Sequence, residues 1–154
     1  MSNQTVFPVS EKTLENTLLT NEQYLEMYEE SINDPESFWT KQAQRIKWIK
    51  PFTKVKDVSF KKEDLHIRWF EDGVLNVSEN CLDRHLPERK DDVAIMWEPD
   101  QEGKQTRNIT YGELSKEVNQ LANGLKSLGV SKGDVVTIYM PMVPEASMAM
   151  LACS

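Results

Sequence analysis

The sequence predicts an α/β protein: an N-terminal helical cap, then a hairpin, a helix, a buried parallel strand and a second helix that open a larger layered domain. Three observations carry this reading. Thr110 and Glu113 form a capping box ahead of Leu114, Val118, Leu121, Ala122, Leu125 and Leu128, whose spacing lays them along one helical face. The run Val135-Val136-Thr137-Ile138-Tyr139-Met140 is apolar on both faces, the pattern of a strand inside a parallel sheet. Residues 145–153, entered through Pro144, are almost wholly apolar and read as a helix buried against such a sheet. Gly129 supplies the left-handed residue that ends the first helix, and Ser131-Lys132-Gly133-Asp134 makes the turn into the strand. Each large side chain of that strand gains about 1.5–3 kcal/mol only if covered. The chain supplies too few neighbours, and no C-cap or polar tail follows the last helix. The sequence therefore reads as truncated, the beginning of a larger α/β protein.

Taken in order, residues 1–20 show a few apolar side chains (Val6, Phe7, Val9, Leu14, Leu18, Leu19) without clear periodicity and read as an arm lying over a partner surface. Thr20 with Gln23 caps a helix through Tyr24, Leu25, Tyr28 and Ile32. Asp34-Pro35 opens another, with Phe38, Trp39, Gln42, Ala43 and Ile46 on one face, so the two make a helical hairpin. Val55, Val58, Phe60, Leu65, Ile67, Trp69 and Phe70 suggest extended structure around a turn at 61–64. Asn76 and Glu79 cap a helix through Val77, Cys81, Leu82 and His85, which Pro87 ends. Residues 93–97 and 106–110 flank the polar tip at 99–103 as a β-hairpin.

Composition bounds the function. The chain is 39% hydrophobic and 28% charged, which is ordinary for a globular protein, and its net charge of −7 does not invite nucleic acid. Cys81 and Cys153 are too few for a disulfide framework and read as buried thiols in a reducing compartment. The N-terminus lacks a basic start followed by an apolar core, and Pro141, Pro144 and Glu145 interrupt the longest apolar region. A cytoplasmic location without a membrane partner is the default reading.

Few residues offer chemistry. No two glycines form Gly-x-Gly, and residues 129–133 follow a helix with Asp134 where a phosphate-binding Lys is needed, so they read as a plain turn. His66 and His85 share no metal-ligand spacing with a Cys or carboxylate, and His85 suits the end of a helix. Asp83-Arg84 reads as a structural ion pair as readily as a site. The basic excess between Lys41 and Arg68 reads as a solvated face or a contact with acidic residues 11–36. Trp39, Trp48, Trp69 and Trp97 read as packing anchors, and Met140, Met142, Met148 and Met150 as core filling.

The order of certain words is more specific. Asp34-Pro35-Glu36-Ser37-Phe38-Trp39 is followed by Trp69-Phe70, Leu75-Asn76-Val77-Ser78 and Asn80-Cys81-Leu82-Asp83-Arg84-His85-Leu86. Then come Trp97-Glu98, Ile109-Thr110-Tyr111, Lys132-Gly133-Asp134 and the stretch Ile138-Tyr139-Met140-Pro141-Met142-Val143-Pro144-Glu145. From about Tyr24 to Ser154 this closely resembles the N-terminal part of AMP-forming acetyl-coenzyme A synthetases, in the adenylate-forming superfamily. Two positions depart from the pattern: Asp72 stands where a second glycine beside Gly73 is usual, and Glu79 where an aromatic is usual.

After the arm at 1–20, the resemblance implies a cap domain at 21–82 and the start of a nucleotide-binding, AMP-binding domain at 83–154. It implies acetate, ATP and coenzyme A as substrates, with magnesium assisting, and the rest of the same polypeptide as partner. Acetate would be activated as acetyl-adenylate and passed to the coenzyme A thiol. The family's phosphate loop, ribose and adenine contacts and catalytic Lys match nothing within 1–154. No catalytic, cofactor-binding or metal-binding residue is therefore assigned, and the piece alone is expected to be inactive. A propionate-activating ligase, or a non-catalytic interaction module derived from the same cap, are the alternatives.

Overall fold

The computed structural model describes residues 7–154, so Val6 of the expected arm lies outside the described residues. The class is α/β, realised as helices with two small antiparallel sheets. The chain forms two compact units. One holds residues up to Ile46 together with Phe52–Gly73, and the other holds Lys47–Pro51 together with Val74–Ser154.

In the first unit, Ser10 caps a single helical turn, α1 (Glu11–Glu15), by accepting from the Thr13 amide. The arm thus contains a helix that periodicity did not signal, because one local cap suffices for one turn. Phe7 and Leu18 are exposed within the chain. Helix α2 (Asn21–Asn33) starts at the reciprocal Thr20–Gln23 capping box. Asp34 accepts from the Ser37 amide and Pro35 takes the first position of α3 (Pro35–Ala43). The α2–α3 hairpin is held by the Lys41–Glu30 ion pair. Strands β1 (Lys56–Ser59) and β2 (His66–Trp69) pair antiparallel, with Val58 opposite Ile67. Phe38, Ala43 and Val55 are buried, and edge-to-face packing links Phe38, Trp39 and Trp69.

The second unit carries the larger core. Asn76 accepts from the Glu79 amide to cap α4 (Val77–Cys81), while the Glu79 carboxylate pairs with Lys47 instead of closing a box. The helix does not run on to Pro87 as its pattern suggests. Leu82 leaves helical geometry at φ −121°, a 3₁₀ turn follows at Asp83–His85, and Pro87 opens a new short helix, α5 (Leu86–Arg89). In a first turn proline forfeits no hydrogen bond, so it starts this helix rather than stopping the previous one. Strands β3 (Val93–Trp97) and β4 (Arg107–Thr110) form the expected hairpin. A bulge between Val93 and Ile95 breaks the alternation, so Ala94 and Ile95 both pack on the core.

Helix α6 (Tyr111–Ser127) begins at the reciprocal Thr110–Glu113 box. Its C-terminus closes with Gly129 at φ 90°, its amide donating to Lys126 O, and the Val130 amide reaching back to Leu125 O. These two bonds make a Schellman motif. Helix α7 (Pro144–Ala152) packs along α6. The core cluster is Leu82, Ile109, Leu114, Val118 and Met148.

Several sequence expectations are corrected. Residues 135–140 form no strand: both sheets are two-stranded and antiparallel, so among the described residues no strand edge meets this run. Val135 and Tyr139 are 92% and 100% exposed. Only the first half of the apolar α6 face is buried, and Leu128 is 82% exposed, because α7 and the hairpin cover the N-terminal turns. Of the four methionines read as core, Met148 alone is buried, since only its face of α7 meets α6. Cys81 and Cys153 are free and exposed, each at the end of a short helix rather than on its core side. The last turn of α7 is also closed: the Ser154 hydroxyl donates to Met150 O, and the Asn76 side-chain Nδ2 donates to Ser154 O. Among the described residues, no helix is long and apolar enough to cross a membrane.

Candidate functional site

One concavity of the second unit is a trough of about 580 Å³ between the end of α6, the 130–138 segment and the end of α7. Ile49, Val74, Leu125, Val136, Ile138 and Ala152 supply its apolar wall. Residues 47–51 reach it because the Ile49 and Lys50 amides donate to Val74 O, while the Lys47 amide donates to Asn80 Oδ1.

Its polar rim is the turn at 131–134. A phosphate cradle needs amide donors aimed outward at an anion. Here the Ser131 amide and hydroxyl both donate to Asp134 Oδ2, at 2.8 and 3.0 Å. These bonds hold the Asp134 carboxyl below the usual carboxylate range, with the backbone amide the larger cause. The turn is thus closed on its own anion, and it offers no pocket for a second one.

A second concavity lies at the tip of the β3–β4 hairpin, where Trp97 and Met142 meet. The Trp97 indole donates to Met142 O at 2.9 Å, and Arg107 lies over the Trp97 ring. Arg107 also pairs with Glu145 at 2.7 Å, which holds that carboxyl below its usual range. These contacts fasten the loop before α7 to the hairpin. They are positioning contacts.

The other sequence-flagged residues occupy structural places. His85 packs on the Tyr111 ring, and Arg84 donates to Asn80 Oδ1. In the basic stretch Lys41 pairs with Glu30, Lys47 with Glu79, Lys54 with Asp57 and Arg68 with Glu71, while Lys56 lies over Trp69. Asp72 accepts from the Thr53 amide through both oxygens, so this departure from the family pattern ties down the 53–54 backbone. Glu79, the other departure, holds Lys47 beside α4.

One cluster escaped the sequence reading. The His66 ring contacts the carboxylates of Asp57 and Asp64, at 3.2 and 3.1 Å. Neither spacing is a ligand motif; only the hairpin register brings residue 57 to residue 66. Placing the turn at 61–64 and pairing outward from it was the signal available. Among the described residues, no group of three or more His, Cys, Asp or Glu could hold a metal ion.

Comparison with known proteins accounts for the whole stretch. Residues 24–81 match the family described as acetyl-coenzyme A synthetase N-terminus, and residues 82–154 match the family described as AMP-binding enzyme. The chain is 57% identical over 154 residues to an acetyl-coenzyme A synthetase of Shewanella amazonensis, covering 100% of this chain and 24% of that one. It is 54% identical over 151 residues to one of Novosphingobium aromaticivorans, covering 98% of this chain and 23% of the relative. Its fold is similar to a solved acetoacetyl-CoA synthetase from Streptomyces lividans, with TM-score 0.72 and 26% identity over 92% of this chain and 21% of that one. The chain thus spans about a quarter of the length of its curated relatives. Two contiguous family matches and an end-to-end identity of this size place it plainly: the chain belongs to the acetyl-coenzyme A synthetase family of AMP-binding enzymes, and it corresponds to their N-terminal part.

Proposed function

We propose that the chain is the N-terminal part of an acetate–CoA ligase, which converts acetate, ATP and coenzyme A to acetyl-CoA, AMP and pyrophosphate. The supporting observation is its 57% identity, across all 154 residues, to an acetyl-coenzyme A synthetase. In this reading a carboxylate oxygen of acetate attacks the α-phosphorus of ATP and pyrophosphate leaves. The coenzyme A sulfur then attacks the acyl carbon and AMP leaves. Both steps need charge neutralisation and alignment at the reacting centre.

In this reading residues 7–154 supply neither. The glycine-containing turn at the trough closes on the Asp134 carboxylate, which supports this reading. We assign this part the roles of cap (21–82) and opening of the AMP-binding domain (83–154), with ATP, magnesium and coenzyme A engaged by downstream residues of a longer polypeptide. Acetate is favoured over larger acids because the relatives at 54–57% identity carry acetyl-coenzyme A synthetase as their name. A cytoplasmic setting fits these substrates.

Acetate-dependent exchange of pyrophosphate into ATP tests the reading. The 154-residue chain should show none, and a polypeptide of the relatives' full length beginning with these residues should show it. Exchange by the short chain overturns the proposed inactivity. Exchange by the long one with propionate but not acetate overturns the substrate.

A further inference from the structure

The first unit contains an arrangement that the ligase reading does not use. Strand register places Ser59 opposite His66 and Asp57 opposite Arg68, so these side chains share one face of the β1–β2 ribbon. His66 Nε2 lies 3.2 Å from Asp57 Oδ1. Its Nδ1 lies 3.1 Å from Asp64 Oδ1 and 3.2 Å from the Asp64 carbonyl. The His66 side chain is only 20% exposed, although the hairpin as a whole is not deeply buried. The turn between the strands is itself closed by the Asp64 amide donating to Lys61 O.

Every atom facing the two ring nitrogens is an acceptor. A neutral imidazole has one N–H, so it satisfies one side and turns a lone pair toward an oxygen on the other. An imidazolium donates to both. We propose that the Asp57–His66–Asp64 cluster is a proton-operated staple of the β1–β2 hairpin, drawing the turn onto strand β1 when the ring is doubly protonated and releasing one carboxylate when it is neutral.

The surrounding charges fit this. Asp57 and Asp64 face the ring, Lys54 holds the other oxygen of Asp57 at 3.1 Å, and Arg68 further along the same face is held by Glu71. The hydrogen bond to Asp57, then that to Asp64, raises the His66 pKa above the usual imidazole value. The hydrogen bond from His66, then that from Lys54, lowers the Asp57 pKa. The signs define a window. The raised His66 contribution is complete below an ordinary imidazole pKa of about 6.5 and is lost as pH climbs through the folded value. The lowered Asp57 contribution is complete above an ordinary carboxyl pKa of about 3.9 and is lost as pH falls through the folded value. The staple is therefore tightest between those limits and opens as pH climbs through the raised His66 value.

The test is an NMR titration of the C2 proton of His66 in the 154-residue chain, with His85→Gln distinguishing the two histidines. The midpoint should lie above that of a free imidazole. Asp57→Asn should lower it most and Asp64→Asn should lower it less. Amide exchange at Val58 and Ile67, corrected for its ordinary base catalysis, should accelerate as pH passes the midpoint in the native sequence and not in His66→Gln. The near-ultraviolet signal of the Trp39–Trp69 pair checks that each variant is folded. If Asp57→Asn fails that check, the native midpoint and Asp64→Asn decide. A native midpoint at or below the free value, or one unmoved by the folded carboxamide variants, overturns the proposal.

Discussion

Leu114→Ala against Leu128→Ala separates the sequence pattern of α6 from its structure. The two leucines lie on the same periodic stripe, and the sequence alone assigns them equal roles. Yet Leu114 is 4% exposed in the core cluster and Leu128 is 82% exposed. Truncating Leu114 deletes three carbons at about 0.8 kcal/mol each, or about 2.4 kcal/mol of transfer energy. The residual cavity brings the cost to roughly 2–4 kcal/mol, the lower half being expected of a core with room to relax. At Leu128 less than a fifth of that transfer term exists, about 0.4 kcal/mol. Amide exchange along α6 reads the opening of the second unit by itself. Leu114→Ala should accelerate it roughly 30- to 700-fold at one decade per 1.4 kcal/mol. Leu128→Ala should change it less than about threefold on the same scale. Comparable acceleration by the two variants would falsify the burial gradient, and with it the claim that only the N-terminal turns of α6 pack on α7 and the hairpin.

Thr110→Ala removes the acceptor of the Glu113 amide and half of a reciprocal box. It should destabilise the second unit by about 1 kcal/mol in urea unfolding, while Thr110→Ser stays within a few tenths. A silent Thr110→Ala would mean that solvent serves the α6 amides equally well. Gly112→Ala should also destabilise: a Cβ there would stand 2.9 Å from Lys90 Cγ and 3.2 Å from Lys90 O. Overpacking of about 1–3 kcal/mol outweighs a helix-propensity gain of at most about 1 kcal/mol. A higher melting temperature for this variant refutes the close approach. The carboxyls of Asp72, Glu113 and Asp134 are each held below their usual range, chiefly by the backbone amides of Thr53, Thr110 and Ser131. Their stabilisation is complete above an ordinary carboxyl pKa of about 4 and fades as pH falls through the lower folded values. Melting temperature should therefore drop on acidification below about pH 4. Glu113→Gln keeps the capping geometry and should shallow that drop, and an unchanged slope would contradict the assignment.

What the sequence made legible was local. Capping pairs at Thr20, Asp34, Asn76 and Thr110 were readable because donor and acceptor lie three residues apart. The hairpin at 93–110 was readable because a polar tip separates two apolar runs, although its bulge was not. Illegible features depended on what arrives from elsewhere in the chain. Pro87 looks the same whether it stops one helix or starts another, and the backbone at Leu82 decides the matter. Cys81 shares its helical pattern with Leu82, yet the cysteine is exposed and the leucine 2% exposed. Asp57 was hidden as a partner of His66 because nine residues of chain had to fold back in a definite register first.

Residues 135–140 show how far composition can specify conformation without its context. Strand preference describes how a side chain fits a pleated, half-covered surface rather than an intrinsic backbone choice. Here half of that condition is met. Val136 and Ile138 are partly covered and line the trough beside Leu125, while Val135, Thr137 and Tyr139 point to solvent. The period of two survives although no ladder forms among the described residues. One-sided packing on the end of α6 is thus enough to sort alternate side chains, but it cannot supply main-chain partners. Those require a second extended segment at about 4.8 Å. The outward set, Val135 and Tyr139 above all, is apolar yet exposed. The same residues are therefore a sound guide to fold class and a poor guide to burial within these 154 residues.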